Sequence, residues 1–460
     1  MEIDKENQTF PALEALINQE SDEKLVEMLT EMPTAHVIDF LKTQEEGQIL
    51  TLLDLIDHES YGRIFSDLDS ETQTFIFSEL PRPKMAKIFN YVSSDVRADF
   101  YKELELEKQN EFLPYLEKKI REDIIALSSY PSESAGGIMT TDFATIISDM
   151  TANEALNKLR QDAPSKQMIY YLYVVNDTMK MQGILTLKNL VYAEPDDKIK
   201  DLINEFFVFA NVNEDQESVA KKIEKYDLVA IPVLNDYQQL VGIVHHDDAI
   251  EIIRAEQTED MEKFMGIVPT ENDLGYLETP SIQHFKKRAM WIVLLALIGL
   301  ISGMIIHKYK DILEQLIILA LYMPMMTATG GNSGSQAATV VIRALSLGEI
   351  QDKDWLRIVF KEAKISFMLS FCVAGLIFLK IAFFSYKYPL PAGLTITYIG
   401  FLISVAIALQ VISSAVIGAG LPLIVKRFGG DPAVAASPAI TTVVDITGLC
   451  IYFGIVSSNM

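Results

Sequence analysis

Apolar and polar positions follow three different rhythms along the chain. From residue 1 to about 128, short apolar stripes recur at helical spacing: LEALINQ, EKLVEMLTEMP, HVIDFLKT, QILTLLDLI, YGRIFSDLD, TQTFIFSELP and KMAKIFNYVS, with polar turns between them. Residues three and four apart share a helical face, so this pattern predicts short amphipathic helices wound into a superhelix. From about 138 to 256 the apolar runs become strand-like (YYLYVV, ILTL, LVAIPVL, LVGIVHH) and alternate with helical pieces, ANEALNKLRQD and ESVAKKIEKY. The order strand, helix, paired strands, helix occurs twice. The unit ends match, MQGILTLKNL against LVGIVHHDDAI, which marks an internal repeat.

Beyond residue 284 the runs become long and uninterrupted. No charge falls in the 18 residues between Arg288 and His307, the 28 between Glu314 and Arg343, or the 38 between Lys387 and Lys426. A membrane-crossing helix needs about 20 apolar residues. Five spans are expected, at about 289–306, 316–342, 362–384, 394–424 and 433–458. The third span rests on a shorter uncharged run, Ile365 to Leu379, whose flanking Lys364 and Lys380 can reach the interface along their own stems. The 38-residue run has no polar turn, so one long or broken span is expected there.

Charge sharpens this division. Residues from His284 onward hold 8 acids and 14 bases, a surplus of six positive charges; the whole chain is at −24, which leaves −30 for residues 1–283. That acidity excludes nucleic acid as a partner, because phosphates would be repelled, and suits a cation. With the N-terminus inside, ten bases lie in inside segments and four, Lys308, Lys310, Lys380 and Lys387, outside. The expectation is a multi-pass protein of the cell (inner or plasma) membrane, surrounded by lipid, N-terminus cytoplasmic and C-terminus outside. MEIDKENQTF lacks the apolar core of a secretory signal. Cys372 and Cys450 lie in apolar stretches, so neither a disulfide framework nor a CxxC zinc pattern is expected.

Polar residues inside the spans carry the candidate chemistry. Asp445, in TTVVDITG, is a lone carboxylate at membrane depth, a placement that points to a wet path or a partner. Thr441 lies one turn earlier on the same face. Pro324, Gly330, Gly331, Asn332 and Gly334 are expected to interrupt the second span, either lining a cavity with hard oxygen ligands or letting helices approach closely. Asp431 before Pro432 reads as a helix N-cap that also attracts cations to the inner mouth. A two-fold dimer would place two copies of Asp445 across one axis, able to hold Mg2+ through its waters.

On the cytoplasmic side, Asp247, Asp248, Glu251, Glu256, Glu259, Asp260 and Glu262 crowd about four helical turns, a repulsion that bound cations would relieve. Asp95 and Asp99 share one helical face. The adjacent His245 and His246 point to opposite sides of a strand, which weighs against a two-histidine metal site.

YPSESAGGIMT, AIPVLNDYQQLVGIV, HHDDAIEII, AEQTEDMEKFMG, PMMTATGGNSGSQAATVVIRALSLGEI and DPAVAASPAITTVVDITG together resemble the MgtE family of magnesium transporters and channels. The resemblance implies a multidomain homodimer: an all-α helical-repeat domain (1–128), an α/β tandem pair of cystathionine-beta-synthase (CBS) domains (129–200 and 201–256), a connecting plug helix (257–283) and a five-helix pore domain (284–460). It implies a pore acid at Asp445, with Asp431 and Thr441 near the ion path. It also implies cytoplasmic Mg2+ sites at Asp215, Glu217, Asp227, Asp248, Glu251, Glu256, Glu259 and Asp260, with a backbone contact near Gly137, whose Mg2+ closes the pore. Lys188 and Asn189 stand where the family often has an Arg-Asp pair contacting nucleotide, which weighs against ATP at the domain pair. Two other readings compete: a membrane sensor whose helices only anchor it, and an exchanger coupling Mg2+ to Na+ or H+. Asp445 and the broken span discriminate against the sensor, since an anchor needs neither. No nucleophile–base constellation or catalytic metal signature is present, so an enzyme is not expected.

Overall fold

The computed structural model describes residues 10–459 except 12, 14, 18–21, 163–169, 270–275, 278, 386–387, 389, 392 and 436. Part of LEALINQ, most of MEIDKENQTF, and Lys387 therefore lie outside the described residues. The chain divides into two compact units, residues 1–254 and 255–460.

From residue 22 the first unit runs through short helices: α1 (Asp22–Glu31), α2 (Thr34–Leu41), α3 (Glu46–Leu55), α4 (His58–Ser66), α5 (Ser70–Glu79), α6 (Arg82–Phe89), α7 (Ser94–Glu103), α8 (Leu106–Phe112) and α9 (Lys118–Ser128). Polar turns start them. The Asp57 carboxylate accepts from the Glu59 and Ser60 amides, and Asp69 from Thr72. Phe65, Phe77, Phe89, Phe100 and Phe112 recur every eleven or twelve residues. Their rings meet edge to face at 5.0–5.6 Å in five of the contacts that chain them together. Each is buried, contributing about 1.5–3 kcal/mol as an order of magnitude. One aromatic per repeat thus supplies a core that no single short helix has.

The repeat that follows is duplicated down to its turns. β1 (Thr145–Ile147) pairs parallel with β2 (Tyr171–Val175), which pairs antiparallel with β3 (Met181–Thr186). β4 (Ala210–Asn211), β5 (Ala230–Leu234) and β6 (Leu240–His245) repeat that order. In each hairpin an Asn carboxamide oxygen closes the turn, Asn176 on the Thr178 and Lys180 amides and Asn235 on Tyr237 and Gln239. Met179 and Gln238 occupy equivalent left-handed positions, φ 62° and 61°. The two turns pair with each other, Met181 N donating to Gln238 O and Leu240 N to Met179 O. Packed around the sheets are α10 (Ala135–Ile138), α11 (Ala152–Asp162), α12 (Leu187–Tyr192), α13 (Ile199–Leu202) and α14 (Gln216–Tyr226). Ser94 of α7 meets Thr140 by a buried hydroxyl pair at 2.8 Å and accepts from the Thr141 amide, which fixes the helical domain on the repeat.

α15 (His246–Phe264) runs without a break from the end of β6. The expected plug helix therefore does not start afresh near 257; it continues the last helix of the second repeat.

The second unit holds α16 (Ser281–Lys308), a short α17 (Lys310–Gln315), α18 (Ile318–Ser346), α19 (Trp355–Phe384), α20 (Ile396–Arg427) and α21 (Ser437–Ser458). α16, α19, α20 and α21 are long and apolar enough to cross a membrane. α18 is equally long, but its GGNSGSQ stretch dilutes its hydropathy. The 38-residue uncharged run yields one helix, α20, of 32 residues. The expected interruption of the second span is absent. α18 continues through Pro324 and all three glycines of TATGGNSG. Neighbouring helices supply the reason, because those glycines let them approach closely. A Cβ at Gly330 would lie 2.6 Å from Gln410, one at Gly331 3.1 Å from Thr441, and one at Gly334 3.2 Å from Ile440, Ser414 and Val444. α18, α20 and α21 form the centre of the bundle, while α16 buries no residue within one chain.

Candidate ion path and acidic sites

Asp445 lies two turns into α21 and is half-buried. Its Oδ1 is buried with no hydrogen-bond partner. The hydroxyls around it are all engaged along their own helix: Thr441 donates to Ser437 O at 3.0 Å, Thr442 to Pro438 O at 2.9 Å, and Thr447 to Val443 O at 3.0 Å. A carboxylate at membrane depth costs about 2.5–3.5 kcal/mol on insertion scales. Asp445 bears that cost with an oxygen left free to accept.

Asp431 caps the turn that leads into α21, its Oδ1 accepting from the Ala433 amide at 2.8 Å. Its Oδ2 holds Lys263 Nζ at 3.0 Å, and the same ammonium binds Glu259 at 2.8 Å. Burial would depress the Lys263 ammonium, but the Glu259 and Asp431 carboxylates outweigh it and hold its pKa above the ordinary lysine value. Two expected site residues, Asp431 and Glu259, are thereby joined by a base the sequence reading passed over. A lysine closing an acidic run was the available signal. Pro324 and Asn332 are exposed on α18, whereas Gly330 and Gly331 are buried against α20 and α21.

In the first unit the expected acids fall into groups. Asp95, on α7, and Asp248, on α15, face each other electrostatically. Burial, then Asp95 and Asp247, push the Asp248 carboxyl up to about 7. Burial, with Asp99 and Asp142 adding to it, pushes Asp95 up to about 6. Asp67, unforeseen in the sequence, is raised by burial and then by Glu251 and Asp247. Asp142, also unforeseen, pairs with buried Arg97 at 3.9 Å. Asp99 pairs with Lys102 at 3.3 Å; desolvation outweighs that ammonium and raises its pKa.

Asp215, Glu217 and Asp227 bracket α14. Asp215 is its N-cap, accepting from the Glu217 and Ser218 amides; Glu217 pairs with Lys221 at 2.6 Å; Asp227 ends the helix at φ 49°. Gly137 stands close by, because Ser134 bridges Asp215 and the Ala135 amide donates to Glu214 O. A Cβ at Gly137 would lie 2.2 Å from Pro131 O, so only glycine fits. Glu256 and Asp260 lie half-buried on α15. Among the described residues no three His, Cys, Asp or Glu side chains converge into a ready metal cage. His245 Nδ1 is buried without a partner at the end of β6, and His246 is exposed; the two do not alternate on one strand, because His246 already begins α15. A cleft of about 530 Å3 is lined by Tyr170, Tyr171, Thr186, Leu187, Lys188, Val191, Tyr192 and Val229.

Comparison with known proteins gives matches along most of the chain. An MgtE intracellular N domain matches residues 32–133, CBS domains match 135–196 and 199–255, and an MgtE divalent cation transporter domain matches 323–455. The magnesium transporter MgtE of Bacillus subtilis is 35% identical over 428 residues, covering 93% of this chain and 89% of that one. The magnesium transporter MgtE of Thermus thermophilus is 34% identical over 341 residues, covering 74% and 73%. The crystal structure of the soluble part of a magnesium transporter matches at TM-score 0.52 and 26% identity, over 55% of this chain and 99% of that one. The cytosolic domain of the Mg2+ channel MgtE in complex with ATP matches at TM-score 0.50 and 27% identity, over 53% and 99%.

Proposed function

This chain belongs to the MgtE family of divalent cation transporters, and from that premise we propose that it carries Mg2+ into the cell through a path past Asp445, closed by Mg2+ bound at its cytoplasmic acids. The observation that carries the reading is the buried Asp445 oxygen without a hydrogen-bond donor, on a central membrane helix. Such an oxygen suits a hydrated cation, since Mg2+ keeps most of its water and is held through it. An anchoring role for the helices would leave that carboxylate without a use, and this separates transport from the sensor reading.

The path needs no fuel beyond the membrane potential. An inside-negative potential supplies about 2.3 kcal/mol per charge per 100 mV, and about twice that for a divalent ion. A homodimer would set two Asp445 carboxylates on one axis. The unburied face of α16 supports a second copy, or lipid, against it. The bases in the loops support a cytoplasmic N-terminus. Thr441 and Asp431 flank the path, with Gly330, Gly331, Asn332 and Pro324 on the neighbouring helix.

For closure, Asp95 with Asp248, Asp67 with Asp247 and Glu251, and the acids of α15 are held against mutual repulsion. Mg2+ between them would relieve it, with Asp215, Glu217, Asp227 and Gly137 as a further locus. An adenine nucleotide is the second ligand we assign: Lys188 and Asn189 depart from the Arg-Asp pair, but the cleft of Tyr170, Tyr192 and Lys188 offers aromatic faces to the base and an ammonium to phosphate.

Mg2+ uptake into liposomes under an imposed inside-negative potential tests the central claim. Asp445→Asn is expected to lower flux at least tenfold, about 1.4 kcal/mol or more at the barrier. Flux equal to wild type rejects the path.

A further inference from the structure

Gln410 is a buried polar side chain that the transport reading leaves without a role. It lies near the middle of α20, fully buried, within the 38 uncharged residues. Its Nε2 donates to Val444 O of α21 at 2.8 Å. Val444 directly precedes Asp445. Its Oε1 accepts from Ser413 Oγ at 3.4 Å. Space for the amide is cleared on two other helices. A Cβ at Gly330 of α18 would lie 2.6 Å from Nε2, and one at Gly448 of α21 would lie 2.4 Å from the same atom.

A general interhelical hydrogen bond serves at any depth and beside any neighbour. This one ends on the carbonyl next to the only carboxylate of α21, and glycines on both sides are needed for it to fit. We propose that Gln410 is a positioning residue for the ion path: its amide fixes the rotation and depth of α21, so that Asp445 presents its carboxylate to the passing ion. The proposal rests on the Mg2+-path reading. Second-sphere groups that orient a ligand contribute about ten- to a hundredfold to metal affinity or activity.

The test is Mg2+ uptake by the full chain in liposomes, measured against Mg2+ concentration. Gln410→Leu keeps the bulk and removes the hydrogen bond. It is expected to raise half-saturating Mg2+ about tenfold while maximal flux changes less. Gly448→Ala is expected to give the same shift, because its methyl displaces the amide. Gln410→Ala combined with Gly448→Ala is expected to recover part of the loss seen with Gly448→Ala alone, since the shortened side chain vacates the space. If Gln410→Leu does not elute from detergent as one folded species, Gly448→Ala and the double variant decide. Half-saturation unchanged in the folded variants, beside an inactive Asp445→Asn, overturns the role of Gln410 and leaves the path standing. Uptake by Asp445→Asn equal to wild type removes the path itself, and this inference with it.

Discussion

Asp248 and Asp95, held near 7 and near 6, are carboxyls that carry protons close to neutral pH. Their ordinary value is 3.8, so between that value and about 7 the folded chain binds more protons than the unfolded one. Stability contributed by these groups is therefore complete below about pH 4 and is lost as pH rises through about 7. Without divalent ions, the melting transition of the first unit is expected to fall between about pH 5 and about pH 8. Mg2+ is expected to restore it at the alkaline end, where the carboxylates are free to bind. Asp248→Asn is expected to flatten most of that slope in thermal melts of the full chain. A slope as steep as wild type in that variant would assign the titration elsewhere. Asp445, by contrast, was legible from sequence because a single acid in an apolar run has few structural uses. Asp67 and Asp142 were not, since only the docking of the helical domain on the repeat brings them to other charges.

At the scale of helices, glycine placement decides how close the membrane elements come. A Cβ at Gly418 of α20 would lie 2.1 Å from the Gly334 carbonyl of α18. Alanine at an exposed helical site would gain about 1 kcal/mol over glycine. Overpacking against backbone costs about 1–3 kcal/mol or more, and a carbonyl oxygen at that distance has no rotamer to yield. Gly418→Ala is therefore expected to lower the melting temperature in detergent by several degrees; a rise would show that the helices separate freely. The same packing explains why an interruption expected at GGNSG is absent. Glycine in sequence permits either a break or a close approach, and only the partners Thr441, Ser414 and Gln410 decide between them. The duplicated hairpin was easier to read, because Asn-Asp turns and matching strand ends repeat locally. α15 was legible as one run of acidic helical turns from Asp247, but with no apolar stripe to divide it, the border between the repeat and the plug could not be placed.

For the whole molecule, a −30 segment followed by a +6 segment predicts control by cations. Glu259→Ala with Asp260→Ala is expected to raise flux severalfold at high internal Mg2+, with little change at low internal Mg2+, when uptake is compared across internal concentrations. An unaltered response to internal Mg2+ would place closure away from α15. The architecture of helical repeat, doubled α/β unit and apolar bundle could be read from the changing rhythm of apolar residues. Lys263 and Gln410 could not, since each gains its meaning from residues 168 and 34 positions away.

Where the α18 and α20 main chains touch at Gly334 and Gly418, no side chain lies between them to be compressed. Two rods in such contact neither slide past each other nor tilt without first parting, and α21 is pressed into the same block through Gly331 and Gly334. An opening stroke that leaves this keel intact has to be taken up elsewhere, and α16, which buries no residue within the chain, is the helix freest to move.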